Sequence, residues 1–195
     1  MTVIIGGSGT ANGISYFSSP TTFGGTLATA SRGISNASIP SGGIIQIQST
    51  TKTDTFSSSS TSFTDITGLS VSITPTSSTS KILVTTSVIG GSTTWTNLCA
   101  FRLVRDSTAI CVGNSASGYT QATVGGLRGS YDLNSGWYFT AHHLDSPATT
   151  STTTYKVQGY VEANSFRINA IGSDNSGAGW SYRGASTITV MELAQ

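Results

Sequence analysis

The run Leu69-Ser70-Val71-Ser72-Ile73-Thr74 alternates an apolar with a hydroxyl side chain at every step and stops at Pro75. Successive side chains of a strand point to opposite faces, so this period makes one face greasy and the other water-facing. The signature returns along the chain. From Gly43 on, Ile45, Ile47 and Ser49 share one face of a first strand, with Ile44, Gln46 and Gln48 on the other. Residues 81–89 form a longer strand closed by Gly90-Gly91. Residues 98–104 and 108–112 flank Arg105-Asp106-Ser107, a hairpin turn. Residues 155–161, 166–171 and 186–193 complete the set. About nine or ten short strands, with turn signals every ~8–12 residues, predict an all-β chain. No segment carries a helical period, and Thr, Val and Ile suit a pleated surface. The expected architecture is an antiparallel jelly-roll-type β-sandwich over residues 43–195.

Residues 1–42 read differently. Gly, Ser, Thr and Ala dominate, Arg32 is the only charged side chain of the first forty, and Ile14, Tyr16, Phe17, Phe23, Leu27, Ile34 and Ile39 are scattered apolar residues; Ile4, Ile14, Tyr16, Phe17, Phe23 and Leu27 are the expected attachment residues. Such a segment cannot bury enough surface alone to offset its ordering entropy. It is expected to be an extended N-terminal arm, an attachment segment held by packing on something else. Ile39-Pro40-Ser41-Gly42-Gly43 marks its end.

Only 9% of the 195 residues are charged, against roughly 25% in ordinary soluble domains. Ser, Thr and Gly replace them. A lone monomer so poor in charge is weakly solubilised, whereas a subunit of an assembly has less free surface to keep in water. Disordered chains combine low hydrophobicity with high net charge, and this chain has 36% hydrophobic residues and a net charge of +1. The nine Lys and Arg are scattered, which gives no reason to expect nucleic acid. No apolar run reaches the ~18–20 residues of a membrane helix, and the start lacks a basic region and a long apolar core. The expectation is synthesis in a cytoplasm, where the protein stays unless it leaves as part of a particle, and no membrane insertion. A homotrimer is expected on physical grounds: an arm without its own core gains burial by wrapping two partners, and an uncharged face enters a dry interface without stranding ions.

Lys52-Thr53-Asp54-Thr55-Phe56, Ser62 through Pro75 with its Phe63-Thr64-Asp65-Ile66-Thr67-Gly68 core, and Ser80-Lys81-Ile82-Leu83-Val84 together resemble a domain of tailed-bacteriophage virion surface proteins. So do Phe101-Arg102-Leu103-Val104-Arg105-Asp106, Leu144-Asp145-Ser146-Pro147 before Thr154-Tyr155-Lys156-Val157, and the closing residues 186–193. The resemblance covers roughly residues 43–195, and the Gly-rich opening is also similar. It implies a tail-fibre-like or capsid-decoration-like homotrimer of the type found in phages of aquatic hosts, without catalytic residues. A long fibre would carry a larger anchor and a shaft, which leaves room for a short fibre, a fibre tip or a capsid cement protein.

Cys99 and Cys111 are the only cysteines. If Asp106-Ser107 is a two-residue turn, Arg105 faces Thr108, Cys111 lies opposite Arg102, and Cys99 points to the other face. A disulfide needs convergent Cβ atoms, so two reduced thiols are expected. His142-His143 with Asp145 invites a metal reading, but neighbours on a strand point apart, so one ion would require a three-fold axis. No metal and no cofactor is expected. The nucleophile elbow Gly-x-Ser-x-Gly is absent. Asp132, Asp145, Glu162 and Asp174 are conceivable glycosidase carboxylates, but sequence places no pair at the required spacing. Gly125-Gly126 and Gly177-Ala178-Gly179 lack the context of a phosphate cradle and read as loops. The chain is therefore expected not to be an enzyme.

Trp95, Trp137-Tyr138 and Trp180-Ser181-Tyr182-Arg183 lie in or beside polar, Gly-containing segments. They either plug the sandwich or a subunit interface, or Trp180, Tyr182 and Arg183 form a receptor or glycan surface, since such aromatics are enriched at binding hot spots. Two roles follow. The first is a short trimeric tail fibre or fibre tip that binds the host surface. The second is a trimeric cement protein contacting the major capsid protein at capsomer junctions.

Overall fold

The computed structural model describes residues 39–94, 96–128, 136–177, 179 and 181–195. The arm residues Ile4, Ile14, Tyr16, Phe17, Phe23 and Leu27, together with Trp95, Asp132 and Trp180, lie outside them. The described part is all-β. Its strands are β1 (Ile44–Lys52), β2 (Phe56–Ser58), β3 (Thr64–Ile73), β4 (Lys81–Ser92), β5 (Leu98–Arg105), β6 (Thr108–Ile110), β7 (Val124–Arg128), β8 (Trp137–Asp145), β9 (Thr153–Val161), β10 (Phe166–Ile168) and β11 (Ser186–Leu193).

They form two antiparallel sheets. In the first, β1 pairs β11, β11 pairs β4, and β4 also pairs β8; β10 and β2 extend it beside the far end of β4. In the second, β3 pairs β9, β9 pairs β5, and β5 pairs both β6 and β7. The alternation read from sequence explains both. In β9, Thr153, Tyr155, Val157, Gly159 and Val161 are buried while the intervening residues are not. In β11, Ser186, Ile188, Val190 and Glu192 are buried in the same way.

One apolar core lies between the sheets, drawing Val84, Val88, Phe139, Ile188 and Val190 from the first and Leu69, Val71, Phe101, Leu103 and Val157 from the second. Phe101 is its hub. Its ring lies 4.8 Å from Trp137, 5.6 Å from Phe139 and 5.4 Å from Phe166, the last edge-on. Gly159 makes room for it: a Cβ there would come within 2.5 Å of Phe166 and 3.0 Å of Phe101.

Three buried polar side chains of the sandwich are tied down. Glu192 is fully buried, and its carboxylate accepts hydrogen bonds from Gln46 Nε2 at 2.6 Å and from the backbone N and hydroxyl of Thr76 at 2.7 Å. Burial acts to raise its pKa, but these donors outweigh that and hold it below the usual glutamate value. Asn169, also fully buried, donates to the carbonyls of Lys52 and Asp54 and accepts from Ser186 Oγ, joining the ends of three strands. Lys52 is buried and reaches Asp54 at 2.7 Å.

Strands β2, β7 and β8 were not among the predicted segments. The hairpin was: Arg105 faces Thr108, and Asp106 takes a left-handed φ of 51°. The cysteine geometry differs in one respect. Both thiols are free, and Cys99 is buried, but Cys111 does not continue the alternation opposite Arg102. Strand β6 ends at Ile110, and Cys111, with φ 54°, packs against the core. Burial pushes the Cys99 thiol up to about 11.

Candidate functional site

The predicted aromatic patch falls on the long connection between β10 and β11. β10 ends where Asn169 takes a left-handed φ of 60°. The chain then leaves the sheet and returns, and an antiparallel bridge between Ala170 and Arg183 closes the base of the loop. Gly184 N donates to Asn169 O at 3.1 Å just beneath it. Ala170 and Ile171 are buried, so the loop is anchored in the core by its first residues. Arg167 Nη1 donates to the carbonyl of Gly172 and steadies the rising limb.

Above that base lies a small open cleft of about 160 Å³, lined by Asp174, Ser176, Gly177, Ser181, Tyr182 and Arg183. Asp174, at φ 41°, pairs with Arg183 across it. The Arg183 side chain remains 54% exposed. A guanidinium has five N–H donors, so pairing with one carboxylate oxygen leaves it able to bind more. Tyr182 is 40% exposed, and its hydroxyl packs so close to Gly136 that a Cβ there would lie 2.3 Å from it. The ring is thus held at one end and open over its surface. Two hydroxyls, an ion pair that can donate and accept, and a half-exposed ring make a surface suited to a polyhydroxylated ligand. The structure therefore brings Tyr182 and Arg183 together and adds Asp174, Ser176 and Ser181, which the sequence reading had not joined to them.

The other aromatics separate. Trp137 is buried against Phe101, as a plug of the sandwich, whereas Tyr138 points outward and is 68% exposed. His142 and His143 sit on opposite faces of β8: His142 is exposed, and His143 Nε2 lies 4.0 Å from Asp145 Oδ1. Asp145 is a buried structural anion. Arg105 Nη1 donates to both its oxygens at 2.9 and 2.8 Å, and Tyr155 Oη donates at 2.7 Å. Burial, and then the hydrogen bond to Asp145, push the Tyr155 phenol well above its ordinary range. No cluster of three or more His, Cys, Asp or Glu suited to a metal occurs among the described residues. Glu162 is exposed beyond the end of β9.

A second polar cluster, on the outer face of β3, β9 and β5, was not foreseen. Asp65 accepts from Lys156 Nζ at 2.8 Å and Gln158 Nε2 at 2.6 Å. Arg102 donates to Gln158 at 2.9 Å and lies 4.2 Å above the Phe63 ring. Burial would raise the Asp65 pKa, but the bonds from Lys156 and Gln158 bring it below the usual range. Its residues lie far apart in sequence, and only the register of β3 on β9 joins them.

No family model matches the chain, and no curated protein does either. Among solved structures, a chain in the structure of infectious bursal disease virus Gx strain aligns with a TM-score of 0.38 and 13% identity. The alignment covers 78% of this chain and 39% of that one.

Proposed function

We propose that the chain is a non-enzymatic structural protein of a tailed-phage particle: a short homotrimeric tail fibre or fibre tip, attached through residues 1–42, whose sandwich presents the β10–β11 loop to a glycan on the host surface. The observation that carries the reading is the Tyr182–Arg183–Asp174 cleft, an open polar site on a loop whose base is bonded to the scaffold. Binding residues are commonly displayed on loops that a rigid scaffold positions. The phage assignment rests on the motif resemblance of residues 43–195. The strand order supports the jelly-roll part. With the three-residue strands β2, β6 and β10 set aside, β1-β11-β4-β8 face β3-β9-β5-β7, the first strand beside the last. Weak single-site affinity suffices for such a protein, because three heads gain from multivalency.

The test is cell binding by purified protein. Replacing Tyr182 and Arg183 with Ala abolishes it while the oligomer stays intact; binding that survives refutes the site. The second reading, a cement protein at capsomer junctions, is favoured by the outer face of β1, β11, β4 and β8, whose one formally charged side chain is Lys81 at its end. Copy number separates the two: tens of copies per particle fit a tail component, and hundreds fit cement.

A further inference from the structure

The register of the first sheet aligns its outward side chains into rows that cross all four long strands. One row is Ile47, Met191, Leu83 and Leu144. The next is Ser49, Thr189, Thr85 and His142, and the third is Thr51, Thr187, Ser87 and Thr140. Leu193 continues the grid at one end, and Ile89 beside Tyr138 at the other. None of the twelve positions carries Asp, Glu, Lys or Arg; Lys81 stands at the margin, where its Nζ donates to Ser146 Oγ at 2.6 Å. Ile47 and Leu144 are each 52% exposed, and Tyr138 is 68% exposed.

We infer that this face is the surface by which one copy of the chain packs on a second copy in the assembly. The inference deepens the homotrimer reading above and rests on it. Three observations favour another copy as the occupant. The three rows carry no charge for a charged partner to complement, and the one cation on this face, Lys81, stands at its end beside Leu193, whereas the opposite face of the same sandwich carries Asp65, Lys156 and Arg102. Its middle rows are what a desolvated interface tolerates: hydroxyls that can pair across it, with one imidazole at the β8 edge and aliphatic groups at the border, and no ion to strand within them. Its size is adequate. Four strands ~4.8 Å apart and about eight residues of rise give a face of roughly 19 by 27 Å, or about 500 Å² in projection. A corrugated surface of that footprint approaches the ~800 Å² that each partner contributes to a standard interface.

The experiment combines light scattering with carbethoxylation of His142, at the β8 end of the middle row of the grid. Unmodified protein is expected as a trimer in which His142 is protected from the reagent. The double variant Ile47→Glu/Leu144→Glu changes side chains that a single subunit leaves half exposed. It is expected to keep the β-type circular dichroism spectrum, to fall threefold in mass to the 20.0 kDa of one chain, and to expose His142. Ser72→Glu, on the other sheet's outer face, is expected to leave the trimer intact. A trimer that persists in the double variant, or whose His142 reacts freely, overturns the face assignment and leaves the homotrimer standing. Unmodified protein that is monomeric overturns both.

Discussion

On the outer face of β3, β9 and β5, Asp65 holds Lys156 and Gln158, and Arg102 lies over Phe63. On the outer face of β1, β11, β4 and β8, the three central rows are aliphatic or hydroxylated apart from His142, with Lys81 and Tyr138 only at the ends. Both sheets share one core and the same inward alternation, so the folding requirement is the same for each. What differs is the side that folding leaves free. Water tolerates either composition, but a dry contact tolerates only the second, because an unpaired ion there loses its hydration without recompense. The low charge of the chain is therefore not spread evenly over the sandwich.

The comparison breaks most severely at the element common to both sides. Phe101→Ala removes the ring that β5 sends against β8 and β10, and is expected to cost about 3–5 kcal/mol in urea denaturation. Both faces should be lost in one transition; a variant that lost only one sheet would show that the layers fold separately. Glu192→Gln, beneath the sparsely charged face, is expected to cost about 1–3 kcal/mol at neutral pH. Because the folded carboxyl titrates below its ordinary 4.5, its stabilisation is complete above that value and disappears as pH falls through the lowered one. The variant's stability should therefore fall less steeply on acidification than that of the unmodified protein. Equal slopes would remove Glu192 from the account.

Asp65→Asn, on the charged face, should cost under ~1 kcal/mol, since Asp65 is about half exposed and its pair with Lys156 is screened. High salt should erase most of that difference. The smallest effect concerns the thiols. Under native conditions Cys111, which is partly exposed, should react with an aromatic disulfide reagent well before Cys99, whose thiol burial holds at about 11. Equal rates would show that the second sheet opens at β5.

The sequence displayed the alternating strands plainly, because Ser and Thr stood opposite Val, Ile and Leu. It hid β8, where Tyr138 and Leu144 point outward and His143 lies on the inward side, so apolarity no longer marks the buried face. The uncharged grid was hidden for the same reason. Its rows are defined by register across four strands, and no local pattern carries register. Buried Glu192 and Lys52 were illegible as core residues, since their burial depends on partners supplied by other segments. At the candidate site, Tyr182 and Arg183 were visible as sequence neighbours, but the approach of Asp174 depends on how the loop folds back to the Ala170–Arg183 bridge.

That bridge has a further consequence. Because the bonds joining Ala170 to Arg183 and Gly184 to Asn169 hold the two stems, the tip between them contributes little to the alignment of β10 with β4. The tip is a cassette: new residues could be grafted beyond Gly172, and recognition retargeted, with the two sheets below and buried Ile171 left to fold as before.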